Sequence, residues 1–146
     1  MYPVGQEERA IEMYVVLDKQ SNHSLTETDF SDLFDIKGNL EPYTLKTCSG
    51  VVEATGRHAS HFIVESLDGV TRLHLPTLIE CDMIPDDRME IPSPEVTLYY
   101  PHLKSVDGEI PEINPDAKML LLFGRDILCM HKVGEQHNGL HNPPYA

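Results

Sequence analysis

VVLDKQSNHSL, residues 15–25, is the stretch on which the fold turns. An apolar, strand-forming run, IEMYVVL over 11–17, stops at Asp18, and polar residues able to turn the chain follow. A run of that character suits one strand buried on both faces. For a lone aspartate in this position the plain expectation is a structural residue that ends a strand.

Beyond the turn the pattern changes. SLTETDFSDLFD, residues 24–35, predicts a short helix capped by Ser24 or Thr26, with Leu25, Phe30, Leu33 and Phe34 on its apolar side. Ile36-Lys37-Gly38-Asn39 then marks a turn. Residues 43–80 suggest several short strands, broken at Ser49-Gly50, at Gly56 and at Asp68-Gly69. Asp-Gly is a hairpin cue, so segments 61–66 and 71–75 are expected to pair around it.

Residues 84–117 carry Pro85, Pro92, Pro94, Pro101, Pro111 and Pro115. Proline removes a backbone donor and breaks helices, so this stretch is expected to be mostly loop, with a helical turn or two from Pro94. AKMLLLF, residues 117–123, is a second strongly apolar strand that ends at Gly124-Arg125-Asp126, and ILCMHKV after it suits a short helix. No internal repeat or low-complexity tract divides the chain. Residues 1–146 are therefore expected to form a single domain of mostly β character.

Composition excludes several functions. Hydrophobic residues make up 40% of the chain, which is enough for a core and argues against wholesale disorder. The formal charge is −13, from 24 acidic and 11 basic residues, the wrong balance for binding phosphates, so no nucleic-acid partner is expected. No apolar run is long enough to span a membrane and no charged-then-apolar leader opens the chain, so neither a membrane partner nor a signal peptide is expected. Cys48, Cys81 and Cys129 are odd in number and widely spaced, which points to reduced thiols and a cytoplasmic setting. Without a leader, the sequon Asn22-His23-Ser24 has no expected role.

The order and spacing of several phrases then carry a resemblance. VVLDKQSNHSL, the later strand MLLLFGRDIL, the proline-rich IPSPEVTLYYPHL and the late HNPPYA resemble the retropepsin-like aspartic peptidase domain of Pao/BEL retrotransposon polyproteins. The resemblance extends over residues 11–146. It implies a small closed or partly open barrel of the acid-protease type, with one or two short helices. It also implies a further β segment beyond Ala146, so that the sequence reads as a fragment lacking its C-terminal strand.

Such peptidases hold two carboxylates about 3 Å apart around a water, and like charges that close cannot both ionise easily, so one serves as base and the other as acid. A retropepsin-like chain supplies one of the two, and a homodimer supplies the pair. By resemblance Asp18 is the catalytic residue, Lys19, Gln20 and Ser21 complete the active-site turn, and Gly124, Arg125 and Asp126 form the structure beneath it. A flap hairpin within 47–66 would cover an extended peptide, pairing with its backbone and excluding water. The substrate class implied is the element's own polyprotein.

The turn departs from the family motif, which runs Asp, Thr or Ser, then Gly, then a small residue. Lys19 lacks the hydroxyl that braces the two active-site loops, and Gln20 places a Cβ where glycine allows backbone to approach the carboxylate. A lysine near paired aspartates also favours their charged forms, opposing the shared proton. The expectation is therefore a weakened or inactive aspartic endopeptidase. The alternatives are a non-catalytic peptide-binding or dimerisation module that keeps the fold, and a structural spacer within a polyprotein.

Other candidates carry less. Cys129, His131, His137 and His141 could offer zinc one thiolate and three imidazoles, but the spacing matches no common metal motif and no metal is expected. His58 and His61, in the flap candidate, suit a solvated strand or turn. Arg125-Asp126 could carry an ion pair. There is no phosphate-binding glycine loop and no local serine-triad context, so no cofactor is expected.

Overall fold

The structure is a computed structural model that describes residues 1–47 and 50–136. It is mostly β. In chain order the strands are β1 (Tyr2–Pro3), β2 (Met13–Leu17), β3 (Leu25–Thr26), β4 (Glu41–Thr47), β5 (Gly50–Gly56), β6 (His58–Ala59), β7 (Phe62–Glu65), β8 (Arg72–His74), β9 (Leu78–Glu80) and β10 (Lys118–Phe123). Two short α-helices accompany them, α1 (Thr28–Leu33) and α2 (Val96–Tyr99). No helix among the described residues is long and apolar enough to cross a membrane.

Among the described residues the strands form three sheets, ordered β2-β10-β3-β9-β6, β1-β7-β8 and β4-β5, and they do not close into a barrel. The decisive feature is the place of β10. It pairs parallel with β2, setting Leu17 opposite Phe123, and antiparallel with β3, setting Leu25 opposite Leu122. Because β10 lies between two strands that are consecutive in sequence, the connection 18–24 must cross the C-terminal end of β10. The sheet continues through β9, which runs parallel to β3, and ends at β6.

Where the sequence suggests one domain, the chain forms two compact units. The first is Met1–Asp86 with Ala117–His131, and the second is Asp87–Asp116 with Lys132–Ala146, of which residues 137–146 lie outside the described residues. The first unit holds the sheets and a core built on Phe30, Phe34, Leu78, Leu121, Phe123 and Ile127. Phe30, Phe34 and Phe62 stack mutually tilted, with ring centroids 4.9–5.0 Å apart, which suits the edge-to-face preference of aromatic rings.

In the second unit the prolines block strand pairing, and the segment closes on itself. The Arg88 guanidinium donates to the carbonyls of Asn114 at 2.8 Å and Pro115 at 3.0 Å, and the buried Thr97 hydroxyl binds Asp107. Alongside α2 it contains 3₁₀ turns at Arg88–Glu90 and Pro101–Glu109, so it is more ordered than the expected loop.

Four local expectations are corrected. β2 is an edge strand, so Met13–Val16 are half-buried and not enclosed on both faces. The helix begins at Thr28, after Leu25–Thr26 have been drawn into the sheet, and neither Ser24 nor Thr26 caps it, since Glu27 stands at its N-cap. Leu33 remains largely exposed while Phe30 and Phe34 fill the core. The Asp68-Gly69 hairpin forms as read: β7 and β8 pair antiparallel, and Gly69 takes a φ of +72°. The expected helix after Asp126 is a 3₁₀ turn, Leu128–His131.

Candidate active-site turn and hairpin

The turn after β2 is sewn to the segment after β10 by main chain and side chain together. The Asp18 amide donates to the Phe123 carbonyl at 3.0 Å, and the Arg125 amide donates to the Ser21 carbonyl at 2.9 Å. Ser24, fully buried, stands at the centre. Its hydroxyl accepts from the Gly124 amide at 3.1 Å and donates to Asp126 Oδ1 at 2.6 Å, and its own amide donates to Asp126 Oδ2 at 2.9 Å. The Arg125 guanidinium reaches Asn22 Oδ1. A Cβ on Gly124 would lie 2.5 Å from the His23 carbonyl oxygen, so only glycine allows the two backbones this approach.

The structure thus brings Asp18, Ser21, Gly124, Arg125 and Asp126 into one cluster. Arg125 and Asp126 do not pair with each other; each holds a different residue of the turn. Asp18 is half-buried, and its Oδ1 accepts from the Gln20 amide at 2.8 Å, the local bond by which an aspartate stabilises a turn. Lys19 and Gln20 are exposed at the tip, and among the described residues Lys19 forms no ion pair. The carboxylate is thus presented beside a turn whose backbone is fixed from below.

The exposed hairpin is β4–β5, Glu41–Gly56, and not a segment confined to 47–66: of its two strands only β5 lies wholly in that range, while the other strands there, His58–Ala59 and Phe62–Glu65, belong to the other two sheets. Its tip, Cys48-Ser49, lies outside the described residues. Cross-strand pairs Tyr43–Ala54 and Leu45–Val52 share one face, and Thr44–Glu53 and Lys46–Val51 share the other. Among the described residues β4 and β5 pair only with each other, which leaves both outer edges without a neighbouring strand.

The hairpin is fastened at its root. A Cβ on Gly56 would lie 2.3 Å from the Glu80 carbonyl oxygen. The Tyr43 hydroxyl meets the Cys81 thiol, and burial together with that contact raises the hydroxyl's pKa above its ordinary value. Arg57 Nε donates to the buried Glu80 carboxylate at 2.6 Å, which also accepts from the Ser31 hydroxyl at 2.6 Å. The Glu80 carboxylate, and after it Asp32, holds the Arg57 guanidinium protonated above its ordinary range.

The remaining candidates are dispersed. His58 Nδ1 lies 3.4 Å from Glu41, and the His61 carbonyl accepts from the Val4 amide at 2.8 Å. Of the zinc candidates, His131 Nε2 meets the Gly124 carbonyl at 2.8 Å, Cys129 is exposed, and His137 and His141 lie outside the described residues. Among the described residues no group of three metal-binding side chains gathers. Sequence reading missed Ser24 as the bridge and missed Asn22 and Arg57, because their partners lie far along the chain and leave no local pattern. Comparison with protein-family models, curated proteins and solved structures finds no match to this chain.

Proposed function

We propose that the chain is a retropepsin-like aspartic-peptidase domain of retroelement origin that keeps the frame of the active-site turn but cleaves weakly or not at all. The observation that carries this reading is the crossing of the 18–24 turn over the end of β10, with Asp18 at the strand end and Ser24 locked to Asp126. The five- and three-stranded sheets would form the sides of a partly open barrel, and β4–β5 would be the flap. Two chains would bring two Asp18 carboxylates together around a water, one accepting its proton as it attacks a peptide carbonyl and the other protonating the leaving amine. Lys19 and Gln20 oppose that chemistry by charge and by bulk.

The second reading, a peptide-binding module without cleavage, is favoured by the open edges of β4–β5, which could add an extended peptide as a further strand. Digestion of a mixed peptide library from acidic to neutral pH, beside Asp18→Asn, tests both readings when combined with sedimentation and peptide binding. A dimer that binds peptides with little or no Asp18-dependent cleavage supports the proposal. Rapid Asp18-dependent cleavage would show that Lys19 and Gln20 are tolerated and would overturn the weakening. A monomer that binds no peptide would overturn both readings and leave a structural spacer.

A further inference from the structure

The contacts that fasten β4–β5 to the rest of the first unit gather at its root, at Glu41, Tyr43, Gly56 and Arg57. Beyond its root the hairpin is largely exposed, Val51 at 64% and Val52 at 46%, and among the described residues no other strand lies beside it. At the root, Glu41–His58 is a solvent-facing pair, and pairs of that kind hold weakly. Arg57 is different. It directly follows Gly56, the last hairpin residue, and its carbonyl accepts from the Glu80 amide at 2.9 Å, so its main chain is continuous with the hairpin and fixed to β9. Its side chain then reaches two more elements: Glu80 on β9, and Asp32 at 3.1 Å with the Ile36 carbonyl at 3.4 Å around the end of α1.

We propose that Arg57 is the positioning residue of the hairpin, a fork that fixes the root of β4–β5 to β9 and to the end of α1 and so sets where the hairpin lies. Only a planar guanidinium serves the three acceptors at once; a lysine keeps the charge but offers one point of attachment. Without the fork the Tyr43–Cys81 contact and the Glu80–Arg57 main-chain bond remain, and the hairpin keeps its own ladder but samples a wider range of positions as a unit. The positioning stands on the fold alone. Its consequence, that Arg57 governs peptide capture by the hairpin, rests on the proposed peptide-binding reading.

Spin labels carried by a ketone-bearing amino acid, which spares the native cysteines, would read this directly. One pair replaces Val51 and Leu128, joining the hairpin to the rest of the first unit; a control pair replaces Leu67 and Leu128, both outside the hairpin. In Arg57→Lys the hairpin pair is expected to show a distance distribution at least twice as broad as in the parent, while the control pair stays unchanged. Asp32→Ala removes only the exposed arm of the fork, leaves Glu80 paired, and is expected to broaden the same pair to a smaller extent. An unchanged hairpin pair in both variants, or equal broadening of both pairs, would overturn the positioning role. Adding the peptide library to the parent separates the two claims. Failure of peptides to narrow the hairpin pair, with its dependence on Arg57 intact, would count against the peptide-binding reading alone.

Discussion

Ser24 and Asp126 are separated by 102 residues and joined twice, through the Ser24 amide at 2.9 Å and the Ser24 hydroxyl at 2.6 Å. The same hydroxyl accepts from the Gly124 amide, so one buried oxygen ties together the two chain segments that frame Asp18.

Ser24→Ala is expected to leave the buried Gly124 amide without its acceptor and Asp126 with one donor fewer. A buried polar group stripped of its partner costs about 1–3 kcal/mol, and that loss should appear as a lower urea midpoint with an unchanged slope. An unchanged midpoint would mean that the bridge does not hold the frame.

Two glycines make a sharper steric test. A Cβ would meet backbone oxygen at 2.5 Å in Gly124 and at 2.3 Å in Gly56, whereas at Gly38 nothing lies within 4 Å. Gly124→Ala and Gly56→Ala should each cost at least about 1–3 kcal/mol as the backbones are forced apart. Gly38→Ala should stay within about 0.5 kcal/mol of the parent by the same denaturation measurement.

Glu27 predicts a pH dependence of definite sign. Burial raises its carboxyl above the ordinary value of 4.5, the Ile84 amide bond opposes this, and the neighbouring Asp82, Asp29 and Asp86 charges add to it. With the folded pKa above the unfolded one, ionised Glu27 weakens the fold at neutral pH, and the penalty fades as pH falls through the folded pKa and is gone below the unfolded value. Glu27→Gln keeps an oxygen for the Ile84 amide, bonded at 3.0 Å, and removes the charge. Its melting temperature should exceed the parent's at neutral pH, with the gain vanishing under acid conditions. A gain that persists or grows in acid would contradict the assignment.

Glu80 is buried and Arg57 half-buried against it, with side chains 10% and 21% exposed, so the two should behave as a largely desolvated pair. Arg57→Ala leaves the Glu80 carboxylate with Ser31 as its remaining donor, and breaking such a pair from one side costs about 3–5 kcal/mol. Replacing both by methionine removes the stranded charge and should recover most of that loss. A double variant as unstable as the single one would show that the pair's value lies in packing and not in its charge.

What the sequence reveals depends on how local the cause is. β2 and β10 are legible because continuous apolar runs between polar breaks carry their own signal, and the β7–β8 hairpin is legible because Gly69 supplies the left-handed turn. β3 is not, since Leu25–Thr26 has no periodicity and becomes a strand only because Leu121–Leu122 and Ile79–Glu80 offer ladders on either side. That competition also moves Ser24 from helix capping to the Asp126 bridge. Asp18, Gly124, Arg125 and Asp126 could be singled out as candidates from the two strand ends, but their relation to one another is a matter of topology. Arg57 carries no local mark, because the groups it joins come from α1 and β9.

The most direct test restores the turn. Lys19→Thr with Gln20→Gly, made on a chain that sedimentation shows to be folded and dimeric, removes the charge and the bulk beside Asp18, and peptide-library cleavage is then compared with the parent and with an added Asp18→Asn. If the frame is intact and only the turn is degenerate, cleavage should rise at least about tenfold over the parent, the order of effect expected when acid–base groups are correctly placed, and should disappear with Asp18→Asn. A folded dimer with the restored turn that cleaves nothing, or cleaves equally well with Asp18→Asn, would contradict the proposal that the turn at Asp18 is a retained peptidase frame.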